Sequence, residues 1–80
     1  MRLGMTYDEL GRYTEAYLAY QKAIEGQPHN GYFRNALGMH FWSRGMIPQA
    51  VFAFQAAVAC PFGGEDAAAS LKALRDAGAR

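Results

Sequence analysis

Acid–base, nucleophilic or metal chemistry would have to come from a short roster of side chains. The chain has two histidines, His29 and His40, and a single cysteine, Cys60. A metal-binding helix presents ligands three or four residues apart on one face. His29 and His40 lie 11 residues apart with no second ligand at helical spacing, so each reads as a surface or interfacial imidazole. Cys60 ends an apolar stretch with helical spacing, where the helix dipole disfavours a thiolate; it reads as a buried structural thiol. Asp8 and Glu9 adjoin, but neighbours on a helix point ~100° apart and do not converge on one substrate. Gly63-Gly64 stands without the further glycines and lysine that a phosphate-cradling loop uses. No catalytic constellation, cofactor or metal site is expected, and the chain does not read as an enzyme.

The elements that would position a binding surface are more legible. Fifteen alanines and few β-branched residues favour helix over strand. A shift of 34 residues aligns Leu3-Gly4 with Leu37-Gly38, Tyr7 with Phe41, Gly11 with Gly45, Ala16 with Ala50, and Tyr20 with Phe54. Ala23 then meets Ala57, and Ile24 meets Val58. Within each copy the spacing predicts two helices. Leu3, Tyr7 and Leu10 form one stripe that stops at Gly11. Ala16, Tyr20, Ala23 and Ile24 form the next, ending near Gly26-Gln27-Pro28. Asn30 offers an N-cap for a third helix over 32–44, which stops at Gly45. Pro48 suits the first turn of a fourth over 48–60, closed by Pro61. A fifth follows over 65–77 with Ala67, Leu71 and Leu74 on one face. Short loops make neighbours antiparallel. The expectation is a single all-α domain over 1–80, with a first repeat over 1–30, a second over 31–64 and a final helix over 65–80.

These residues resemble the tetratricopeptide repeat, a 34-residue helix-turn-helix unit with the pattern Trp-x2-Leu-Gly-x2-Tyr, then Ala-x3-Phe, Ala and Pro. The first copy supplies Leu3, Gly4, Tyr7, Ala16, Tyr20, Ala23 and Pro28; the second supplies Leu37, Gly38, Phe41, Ala50, Phe54 and Ala57. Arg34 stands where the pattern has Trp, and Pro61 falls one place early. The first copy begins after the pattern's first turn, so a clipped first helix is expected. The resemblance implies a short right-handed superhelical solenoid of five helices, in which Gly4, Gly38, Ala16 and Ala50 permit close helix approach. Lys72 and Arg75 replace the small and aromatic residues of the pattern, so the last helix is expected to cap the stack.

The resemblance also implies a concave groove lined by the first helix of each repeat. By position its members are Met5, Asp8 and Glu9 in the first copy, and Tyr32, Asn35, Met39, Trp42 and Ser43 in the second. Relatives that clamp a C-terminal carboxylate use Lys, Asn and Arg, where Met1, Met5, Met39 and Ser43 stand here. The implied partner is therefore a protein or peptide segment with apolar anchors, in extended or helical form. A small bacterial secretion chaperone is a narrower version of this expectation, resembling the chain in size and repeat count. The abundance of Ala, Gly and Arg agrees with a bacterial source.

Charge sets the remaining expectations. Eight basic and seven acidic residues nearly cancel without clustering, which gives no reason to expect nucleic acid as a partner. The longest nearly apolar run, over 50–62, is too short to insert across a membrane, and the start of the chain lacks a leader's apolar stretch. A cytoplasmic location is expected. From Gly45 to Gly64, 20 consecutive residues carry no formal charge. In that stretch Phe52, like its counterpart Leu18, falls on the outer side of its helix. The pair is expected to support self-association as a homodimer or higher homo-oligomer.

Overall fold

The computed structural model describes residues 10–78, and among them the fold is all-helical. Four helices follow in order: α1 (Tyr13–Gly26), α2 (Gly31–Ser43), α3 (Ile47–Val58) and α4 (Gly64–Gly78). The expected helix over Leu3, Tyr7 and Leu10 lies outside the described residues except for Leu10, which is exposed in the turn with Gly11. Helices α2, α3 and α4 agree with the sequence expectation to within one or two residues at each end, and α1 ends at Gly26, where the second stripe was expected to end.

Local chemistry explains the boundaries. Arg12 and Met46, 34 residues apart, lead into α1 and α3 with φ/ψ of −88/72° and −87/71°. The carbonyls of both accept the amide four residues on at 3.0 Å, from Ala16 and Ala50. Just before them, Gly11 and Gly45 adopt φ of +77° and +75°. The backbone thus repeats where the sequence repeats. At the end of α2, Gly45 donates to the Trp42 carbonyl and Met46 to that of Phe41, the paired bonds that stop a helix at a left-handed residue. At its start, Asn30 Oδ1 accepts from the Tyr32 amide at 2.9 Å while Nδ2 donates to Gln27 Oε1.

Packing follows the apolar stripes. Ala16, Tyr20 and Ile24 of α1 bury against Leu37 of α2 and Ala53 of α3. Ala50, Phe54 and Ala57 of α3 bury against Ala67, Leu71 and Leu74 of α4. Phe41 touches both clusters and joins them. Helix α2 contacts all three others, with α3 its most extensive neighbour. The close approach of α2 and α3 depends on Gly38: a Cβ there would stand 2.5 Å from the Phe54 ring, which is fully buried. A second tight point joins the start of α2 to the segment before α4, where the Gly31 amide donates to the Phe62 carbonyl at 2.8 Å.

Three sequence readings change. His40 is buried rather than superficial, with its ring 5.6 Å from that of Tyr20 and 5.4 Å from that of Phe41. Cys60 is only half-buried, its thiol donating to the Ala56 carbonyl at 3.3 Å. Val58 is exposed at the last position of α3, whereas its counterpart Ile24 is buried.

Candidate functional site

Helix α2 packs against α1, α3 and α4, and four of the expected groove residues fall along one side of it. At 100° per residue, Tyr32, Asn35, Met39 and Trp42 fall within an ~80° arc of one another. Tyr32 is 53% exposed and Met39 47%. Trp42 sits at the arc's edge, half-buried, and its indole meets the Phe54 ring edge-on with centroids 6.2 Å apart. It therefore packs on the core with one side of its ring system and leaves the rest partly exposed. Met39 reaches toward α4, where Ser70 Oγ lies 4.0 Å from its sulfur. Ser43 is exposed and donates to the His40 carbonyl at 2.8 Å.

Of these residues, the structure gathers Met39, Trp42 and Ser43 around a depression of about 210 Å³. Tyr32 lies two helical turns away, at the N-terminal end of the same arc. Its ring is against the backbone of Gly63, which has φ +77° and where a Cβ would stand 2.6 Å from the Tyr32 nitrogen. Asn35 is half-buried, and its Oδ1 is buried without a hydrogen-bond partner. Such a group costs ~1–3 kcal/mol in a folded chain. The remaining expected members, Met5, Asp8 and Glu9, lie outside the described residues. The chemistry this arc offers is apolar contact from a thioether and aromatic rims, with one amide.

A second concavity was not foreseen. A cleft of about 460 Å³ opens between α1 and α3 with α2 as its floor; Tyr17, Gln21, Leu37, Phe41, Phe52 and Ala56 contribute to its lining. Tyr17 and Gln21 on α1, and Phe52 and Ala56 on α3, are i, i+4 neighbours that supply its walls, but no spacing in the sequence brings the two helices together. Phe52, at 75% exposed, lines this cleft; Leu18, at 60%, is equally outward but does not.

Candidates for chemistry are dispersed. His29 is exposed, His40 is enclosed by rings, and Cys60 bonds to backbone carbonyls. Among the described residues no group of three or more His, Cys, Asp or Glu converges as a metal site requires, and no helix is long and apolar enough to cross a membrane. No protein-family model matches the chain, and no curated protein matches it either.

Proposed function

We propose that this chain is a non-catalytic protein-interaction module of the tetratricopeptide type. In this reading two repeats and a capping helix form a short solenoid, and the solvent-facing arc of α2 captures a peptide or helical segment with apolar anchors. Two kinds of support carry the fold part. Residues 34 apart share backbone geometry, as Arg12 and Met46 or Gly11 and Gly45 do. Gly38 against Phe54 supplies the close helix pairing that such units use. Lys72 and Arg75 are exposed on α4, in keeping with a cap.

The observation that carries the binding part is the partial exposure of Tyr32 and Met39 beside the half-buried Trp42, on one arc of a helix otherwise enclosed. An unbranched thioether adapts to varied apolar shapes, and an aromatic rim adds area at small entropic cost. The single thiol suits a reducing, cytoplasmic setting.

A random peptide library selected on the wild-type chain tests the reading. Selected peptides should bind Met39→Ala and Trp42→Ala at least ~10-fold more weakly, as truncation of anchor contacts does at protein interfaces, with helicity by circular dichroism retained. Peptides that bind both variants as tightly as wild type would remove this arc from consideration.

A further inference from the structure

The cleft between α1 and α3 lies on a different part of the surface from the solvent-facing arc of α2, and its composition points to a particular occupant. We infer that it is a self-recognition site: two copies of the chain pack across a twofold axis at α3, each placing Phe52 in the other's cleft.

A twofold interface sets every residue near the axis against its own kind. Charges there repel their copies, whereas apolar groups meet theirs without repulsion and amides, which both donate and accept, can hydrogen-bond to theirs. The outward face of α3 meets that condition. The neighbours of Phe52 one turn away are Pro48, Gln49, Gln55 and Ala56, and α3 carries no formal charge from Ile47 to Val58. Three of these four also line the cleft, and Arg34 is the one formally charged residue in its lining. Arg34 sits on the floor helix and is already engaged, donating through Nε and an Nη to the Pro28 carbonyl. Leu18, by contrast, has Glu15 and Lys22 one turn away, both exposed, and lies outside the cleft.

Shape agrees with charge. Phe52 projects from the rim of a cleft whose ~460 Å³ accepts a phenyl ring with room for neighbouring atoms. A knob beside a hole is what a twofold operation needs, because the same motion that seats one ring seats the other. The smallest specific interfaces take on the order of 500 Å² from each copy, about a tenth of the 5149 Å² surface. Two helices ~10 Å wide and ~18–20 Å long flanking a cleft present a face of that order.

Sedimentation equilibrium of the full chain, at concentrations up to ~100 μM because dimer population follows mass action, tests the inference with three proteins. Wild type should approach twice its 8.8 kDa monomer mass. Phe52→Glu should weaken dimerisation at least ~100-fold, since two rings leave each interface, and Leu18→Glu should leave it intact. Both substitutions are at exposed positions, and circular dichroism confirms that each variant remains helical. A wild type that stays at monomer mass overturns the inference. So does dissociation by Leu18→Glu to the same degree, or growth into open assemblies larger than two.

Discussion

Gly38 and Phe54 illustrate how one missing side chain governs a helix pair. The Phe54 ring occupies the space a Cβ at Gly38 would need, and with no exposed surface the ring has nowhere to yield. Gly38→Ala gains ~1 kcal/mol of helix propensity, but with the Cβ 2.5 Å from a ring that cannot yield the overpacking falls in the upper part of the usual range, about 2–3 kcal/mol. We expect a net loss of about 1–2 kcal/mol in urea unfolding; unchanged or increased stability would contradict the close contact. Asn35 behaves in the opposite way. Its buried, unpartnered Oδ1 is a standing cost, so Asn35→Ala should raise stability by about 1 kcal/mol. A lower unfolding midpoint in that variant would show that the amide is satisfied after all. The sequence made the Gly38 pairing readable, because a small residue recurs at a fixed offset and an aromatic follows at its own. Nothing in the sequence marked the orphaned oxygen of Asn35, because hydrogen-bond satisfaction depends on atoms contributed by distant segments.

Helix ends separate two roles of glycine. Gly45 and Gly63 share nearly the same positive φ, yet a Cβ at Gly45 meets open space while one at Gly63 meets the Tyr32 backbone. Gly45→Ala should therefore lose ~1–2 kcal/mol from left-handed strain alone, and Gly63→Ala at least ~1 kcal/mol more from the clash. Equal losses would show that the Tyr32 contact relaxes freely. Helix limits were legible from Gly45, Pro48 and Asn30 because capping and chain breaking are local. The cleft was not, since Tyr17, Leu37 and Phe52 sit on three helices whose relative placement no local pattern encodes. His40 escaped for a related reason: the rings of Tyr13 and Tyr20 that enclose it come from the preceding helix. Arg44, stacked 4.1 Å from the Tyr13 ring centroid, draws the end of α2 toward the start of α1 and extends the same cluster.

The described residues form a slab of about 32 × 29 × 16 Å. With helices ~10 Å across, it is too thin for any helix to be enclosed on every side. Each must show one face, and the sequence assigns those faces different characters. The outer side of α1 and the exposed side of α4 carry charge; the outer side of α3 and the free arc of α2 do not. In the proposed scheme the two uncharged surfaces serve a second copy and a peptide partner respectively, and both can be occupied together. Trp42, the chain's one tryptophan, stands at the edge of the α2 arc and reports on it directly. The decisive measurement is its fluorescence during titration with a library-selected peptide. Binding in the groove predicts a saturable blue shift of Trp42 emission that Met39→Ala displaces to higher peptide concentration. Saturable binding by an independent method such as calorimetry, with Trp42 emission unmoved throughout, would contradict the assignment of the groove.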